Sequence, residues 1–198
     1  MAQIDYYLFP LSPFTYFAGM ELEEIAGKHK ANITYKPFNL MEVFSKTGGT
    51  PLPERHESRK RYRLQELERI ARRRGLPINP QPLHWPTNPV PASCVIISAQ
   101  AKGGGNLGLL CHSILRACWA DEEDIADDTT LKSLLEHAGF DPAIADNALV
   151  ESVSTYEKNT QDAIDAHVFG APSYVIDDQV FWGQDRLAYL DDYLAHRK

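Results

Sequence analysis

Residues 4–18 read IDYYLFPLSPFTYFA. The apolar run over residues 3–9 has the length and content of a buried strand, and from Ser12-Pro13 onward the apolar positions take helical spacing. Proline suits the first helical position, where a missing N–H costs nothing, and serine suits the N-cap before it. The stretch therefore predicts a strand-to-helix turn that delivers one hydroxyl to a helix N-terminus. Free N–H groups and the macrodipole favour negative charge at such a position. Two readings follow. Ser12 either caps the helix and nothing more, or it donates a hydrogen bond to an anion held at the turn.

Working outward, the helix is expected to run from Pro13 to about His29, and ITYKPF (Ile33 to Phe38) forms a second strand. A strand, a helix and a strand make a β-α-β unit, with parallel strands and a right-handed crossover. From Leu40 to His167 almost nothing reads as strand. PERHESRKRYRLQELERIARRRG (Pro53 to Gly75) is a charged helix with Tyr62, Leu64, Leu67 and Ile70 inward, stopped by Gly75 and Pro77. Prolines crowd residues 77–91 into a rigid irregular connection. Helical patterns resume over 92–101, 107–120, 129–138, 142–150 and 152–167, with Asp128 and Asp141 as N-caps. APSYVI and QVFW, joined by Asp177-Asp178, then read as a β-hairpin, and Asp185 to His196 as a closing helix. The order fits an α/β thioredoxin-like fold (βαβ…ββα) with a large helical insertion. Residues 1–39 and 168–198 would form the thioredoxin-like domain, and residues 40–167 an inserted all-helical subdomain.

Composition narrows the function. The chain has 198 residues, 43% hydrophobic, enough for a substantial core. A net charge of -7 argues against a general nucleic-acid binder and gives no reason to expect attachment to an anionic membrane. No stretch approaches the roughly 18–20 apolar residues of a membrane span, and the N-terminus enters a strand pattern at once, so a cytoplasmic protein is expected. Cys94, Cys111 and Cys118 lack a Cys-x-x-Cys arrangement and read as reduced core thiols. The histidines show no metal-ligand spacing, and no metal is expected. KGGGNLG (Lys102 to Gly108) lacks the strand before it and the Lys-Ser/Thr after it that a phosphate loop needs, and reads as a turn.

Distant residues bear on Ser12. In VFGAPSYVI, Pro172 stands just before a strand, where a cis turn would leave the backbone of Ala171 free to pair with an extended peptide. In FWGQDRLAYL, Gln184 and Asp185 precede the last helix, suited either to an α-amino acid end or to an ordinary N-cap. A sulfur anion fits the Ser12 position, because a thiol with a pKa near ~8.5 is only a few per cent ionised at pH 7. Lowering that pKa by about two units takes about 2.7 kcal/mol, within reach of one hydroxyl and helix-terminal amides. Ser12 itself has no base beside it and is not read as a nucleophile.

FPLSPFTYFA, FGAPSYVI and WGQDRL, in this order and layout, resemble the 2-hydroxychromene-2-carboxylate isomerases, relatives of kappa-class glutathione transferases and of disulfide-forming thioredoxin-fold enzymes. The likeness spans nearly the whole chain. Where the oxidoreductases carry Cys-x-x-Cys, this chain has Ser12-Pro13-Phe14-Thr15, which excludes exchange through a protein dithiol there. The resemblance implies glutathione as cofactor: Ser12 toward its sulfur, Ala171 before Pro172 toward its cysteinyl unit, Gln184 and Asp185 toward its γ-glutamyl end. An Asn-Pro and a Lys of the family fall on Thr50 and Arg59, both departures. Glu66 matches an acidic residue that reaches the glutathione of the neighbouring subunit in a homodimer. The substrate would be a small aromatic acid in a pocket lined by Phe14, Trp85 and Trp182, with Pro82 to Pro89 over its mouth. His84 and Asn88 are either contacts for its carboxylate or phenol, or plain loop residues. A kappa-like transferase and a non-catalytic thiol- or peptide-binding protein stand as alternatives.

Overall fold

The computed structural model describes residues 1–197. Its four-stranded sheet has the order β2-β1-β3-β4, from β1 (Gln3–Leu8), β2 (Asn32–Pro37), β3 (Ser173–Ile176) and β4 (Gln179–Trp182). β1 and β2 are parallel, while β3 is antiparallel to both β1 and β4. The sheet thus joins the two ends of the chain. Asp177 and Asp178 form the two-residue hairpin turn, both with positive φ (48° and 60°), as the right-handed twist of the flanking strands requires.

Between Pro13 and His29 the chain forms two helices where one was expected: α1 (Pro13–Ala18) and α2 (Glu21–His29). Gly19 ends α1 at φ 59° and ψ -134°, a conformation open to glycine, and its N–H donates to the Tyr16 carbonyl. The block between β2 and β3 holds α3 (Leu40–Thr47), α4 (Glu57–Arg74), α5 (Val90–Lys102), α6 (Leu107–Trp119), α7 (Asp128–His137) and α8 (Ile144–Asp165). α9 (Leu187–His196) closes the chain. α8 runs unbroken through the expected gap at residue 151, because no glycine, proline or cap lies there and Ser152 turns inward to bond Ser98 (2.7 Å). Asp127, not Asp128, caps α7, accepting from the Thr130 N–H, and Asp141 accepts from Ala143 N–H one residue before α8 begins. On α4, Leu67 is fully buried, but Tyr62, expected inward, is 57% exposed. Gly75 stops α4 in the left-handed region, as expected.

One face of the sheet carries a row of tyrosines. Tyr6 pairs in register with Tyr35 on β2 and Tyr174 on β3, and its ring lies 5.7 and 5.2 Å from theirs. Glu23 of α2 reaches into this row, where the Tyr35 hydroxyl donates to its Oε1 at 2.7 Å while its Oε2 is buried without a partner among the described residues. Gly108 makes room for it: a Cβ there would stand 2.7 Å from the Glu23 side chain. Burial raises the Glu23 pKa, the Tyr35 hydrogen bond opposing it.

A carboxyl whose folded pKa lies above its unfolded value binds its proton more tightly in the fold. Its contribution is complete below the unfolded pKa and is lost as pH rises through the folded one. Glu23→Gln keeps an acceptor for Tyr35 and removes the titration. Melting curves should therefore show little difference between the two proteins near pH 4 and a variant more stable by about 2–4 °C at pH 8; equal melting temperatures at pH 8 would show that the carboxylate is accommodated without cost.

Candidate active site

The turn between β1 and α1 and the turn before β3 meet because β1 and β3 are neighbours. The Ser12 side chain is buried at this junction: its Oγ accepts from the Thr15 N–H (3.2 Å) and donates to the Ala171 carbonyl (3.2 Å). The Ala171–Pro172 bond is cis, as is Trp85–Pro86. The Ala171 backbone is therefore not wholly free, as the sequence reading had it. Its carbonyl is held by Ser12, whereas its N–H has no partner among the described residues. With Gly19 ending α1 after six residues, fewer than two turns of aligned peptides stand behind Ser12, and the helix end contributes a weaker field than a helix to His29 would.

A groove opens over this junction in two connected halves. The first, about 310 Å³, runs from Ser12 and Phe14 past Leu40, Met41 and Phe44 to Trp85 and Phe169. The second, about 520 Å³, runs along α4 to Gln184, Asp185 and Arg186. Phe14, Arg55, Arg59, Arg63, Ala171 and Trp182 line both. Trp182 and Phe169 form one rim, edge to face at 4.8 Å. The indole closes onto Gly170, where a Cβ would lie 2.3 Å from the Trp182 Nε1. Gly183 has φ +117°, and its N–H donates to the Pro172 carbonyl (2.9 Å), so the chain turns sharply before Gln184. Arg74 fixes the next step by donating to the Gln184 carbonyl (3.0 Å).

The structure brings Ser12, Phe14, Thr50, Arg59, Trp85, Ala171 and Trp182 to the first half, and Gln184 and Asp185 to the second. Pro172 is buried just beneath. Asp185 does not cap α9: Arg186 holds the N-cap position without a side-chain cap, and the exposed Asp185 carboxylate meets only the Arg186 guanidinium (3.3 Å) among the described residues. Glu66 lines the second half and is paired to Arg69 one turn on (2.7 Å). His84 and Asn88 are the correction. Both are exposed and line neither half, and the Asn88 Oδ1 is used by the Val90 N–H (3.1 Å), which makes it a turn residue at the start of α5. Of Pro82 to Pro89, Trp85 alone lines the groove, anchored by its Nε1 on the Leu11 carbonyl (3.3 Å).

Sequence reasoning missed two arginines. Arg55 and Arg63 stand four residues on either side of Arg59, and none of the three forms an ion pair among the described residues. Arg55 donates to the Thr50 carbonyl (2.7 Å), and burial together with Arg59 lowers its pKa. The i, i+4 spacing of Arg59 and Arg63, like charges whose proximity is unfavourable on a helix, was the signal. Elsewhere, Cys94, Cys111 and Cys118 are buried and line no part of the groove, with burial pushing Cys94 up to about 11 and Cys118 up to about 12. Among the described residues no cluster of His, Cys, Asp or Glu has the makings of a metal site, and no helix is long and apolar enough to cross a membrane.

Comparison with known proteins places this geometry. The chain is 28% identical over 198 residues to 2-hydroxychromene-2-carboxylate isomerase of Sphingobium xenophagum, covering 96% of this chain and 97% of that one. It is 28% identical over 193 residues to the protein of the same name from Pseudomonas putida, covering 95% and 92%. A solved structure of 2-hydroxychromene-2-carboxylate isomerase matches with a TM-score of 0.80 at 23% identity, over 98% of this chain and 94% of that one. The cytosolic disulfide reductase DsbM from Pseudomonas aeruginosa, in a structure with GSH, matches with a TM-score of 0.67 at 17% identity, over 98% and 99%. The family model of the DSBA-like thioredoxin domain matches residues 3–195, and with its sheet order and its Ser12–Ala171 junction the chain belongs to that family.

Proposed function

We propose that this protein is a glutathione-dependent isomerase of 2-hydroxychromene-2-carboxylate or a related conjugated aromatic acid. The observation that carries the reading is a buried hydroxyl opening onto a groove lined by three unpaired arginines, in a protein whose own thiols are buried elsewhere. Such a site stabilises an anion that the chain does not itself supply. The sequence relatives bear the name of an isomerase acting on a conjugated aromatic acid.

The residues present fit a tripeptide thiol. The unpartnered Ala171 N–H and its carbonyl offer a donor and an acceptor to an extended backbone, and the Asp185 carboxylate offers a partner for an ammonium. Arg59, exposed along both halves, offers a fork to a carboxylate. Thr50 presents a shorter hydroxyl than an amide would, and its carbonyl steadies Arg55.

Glutathione, held by Ala171, Arg59 and Asp185, would supply a thiolate, the nucleophile for reversible addition to a conjugated alkene once the cyclic hemiketal has opened. The protein supplies the rest. Ser12 donates to the sulfur and keeps it ionised. The arginines hold negative charge in place, and Phe14, Trp85 and Trp182 orient an aromatic ring and exclude water.

Ser12→Ala should retain glutathione binding by calorimetry, raise the pKa of the bound thiol, and slow turnover by about 10–100-fold. Ultraviolet thiolate absorbance against pH reads the pKa directly, and an unchanged titration would remove Ser12 from its role. Glutathione recovered intact after many turnovers distinguishes an isomerase from a transferase, which would consume it with chlorodinitrobenzene. Asp185→Ala should weaken glutathione binding by about 10-fold, the loss of one charge-assisted contact, while leaving the thiol pKa in place.

A further inference from the structure

Among the α4 cations without an ion pair, Arg63 alone is half-buried, whereas Arg59, Arg61, Arg72 and Arg73 are exposed. Lys60 is paired to Glu57 (2.8 Å), Arg69 to Glu66 (2.7 Å) and Arg74 to Glu21. Arg63 has neither an ion pair nor a hydrogen bond among the described residues, though it is half-buried. Its guanidinium carbon lies 5.5 Å from the Trp85 ring centre and 5.8 Å from that of Trp119, the two indoles being 5.7 Å apart. Burial pulls its pKa down to about 10, and Arg55 adds to the fall. A desolvated cation with a second cation beside it is in an unfavourable state, which an anion relieves. Packing against the indole faces holds the guanidinium plane and leaves its N–H edge for a planar acceptor with two oxygens. Trp85 belongs to the first half of the groove, with Ser12, where Leu11, Phe14, Leu40, Phe44 and Phe169 supply apolar walls and Thr50, Arg55 and Arg59 the other polar groups.

The geometry points to Arg63 as the residue that receives the carboxylate of the substrate, with Trp85 as the adjoining wall for its aromatic ring. Arg63 thereby sets specificity for aryl acids over their neutral counterparts. The assignment deepens the isomerase reading and rests on it for the reaction, but acid recognition at Arg63 does not require glutathione to be present. Arg59 and Asp185 remain for the two ends of the tripeptide.

The test uses the full chain and trans-2-hydroxycinnamate as the probe, with its amide as the neutral counterpart, both titrated by calorimetry without glutathione. The wild type should bind the acid at least about 10-fold more tightly than the amide. Arg63→Met should lose about 10–100-fold in acid affinity and almost none for the amide, and Arg63→Lys, which keeps the charge but not the fork, should recover part of the loss. With 2-hydroxychromene-2-carboxylate as substrate at saturating glutathione, KM should rise in Arg63→Met while kcat stays within a few-fold. Acid affinity unchanged in Arg63→Met, or acid and amide weakened alike, would overturn the assignment, as would a wild type that does not discriminate. If Arg63→Met does not fold, Arg63→Lys decides, since binding as tight as wild type would show that no two-oxygen fork is used. Calorimetry with glutathione separates the two readings: a wild type that binds the acid through Arg63 but gives no heat with glutathione refutes the isomerase proposal and leaves this one standing.

Discussion

The Ser12 hydroxyl joins residues 159 positions apart, by donating to the Ala171 carbonyl while it caps α1. Two surface turns become one floor through this contact, and the groove is built on it. The same bond shows what an anion there must displace. A neutral hydrogen bond contributes about 1 kcal/mol net, and one to a charged group about 1.5–3 kcal/mol. Turning the Ser12 proton from a carbonyl to a thiolate is thus favourable by roughly 1 kcal/mol, provided the carbonyl finds another donor. An extended peptide lying along Ala171 brings such a donor in its own N–H. On this account Ser12 and Ala171 act together: the backbone that recognises the peptide also releases the hydroxyl that steadies its sulfur.

The field over this floor comes mainly from α4. Nine of the chain's 20 Lys and Arg residues lie between Arg55 and Arg74, in a protein of net charge -7. The other basic side chains of that segment face solvent or carboxylates, whereas Arg55, Arg59 and Arg63 face the groove. An acidic surface with one concave basic strip steers small anions toward the strip and repels them elsewhere. The buried thiols complete the logic. Cys94, Cys111 and Cys118 are held protonated by burial and lie away from Ser12, so a thiolate in the groove must arrive from outside.

What the sequence disclosed follows from how local each signal is. The strand over residues 3–8, the Ser12-Pro13 helix start, the Asp177-Asp178 hairpin and the stop at Gly75 are each decided by a few adjacent side chains or by backbone sterics, and each is found where expected. The break at Gly19 was hidden because helical spacing continues across it on the apolar face, while the kink depends on a single residue with positive φ. Tyr62 was placed inward by periodicity, but α4 borders an open groove, so the face that packing would fill elsewhere is partly solvent here. His84 and Asn88 looked reactive in composition, and only the path of the proline-rich segment shows them outside. Arg55 and Arg63 were the converse. In sequence they belong to a solvated charged helix, and their meaning lies in the carboxylates they lack, a property of tertiary placement.

That missing pairing bears on the energetics of the proposed reaction. A thiolate attacking a carboxylate-bearing alkene brings two negative charges together. At about 5 Å and an effective dielectric of about 20, their repulsion is roughly 3 kcal/mol, some two powers of ten in binding or in rate. A hydroxyl alone, contributing at most about 3 kcal/mol to the thiolate, would be spent on cancelling it. A second, fixed cation at the other end of the alkene changes the balance. Arg63, held against Trp85 and Trp119, is placed to take the carboxylate before the sulfur approaches, so that the hydroxyl is left to lower the thiol pKa. One arginine would then admit the substrate and leave the hydroxyl to the sulfur, which gives the half-buried, unpaired cation of this groove a task in binding.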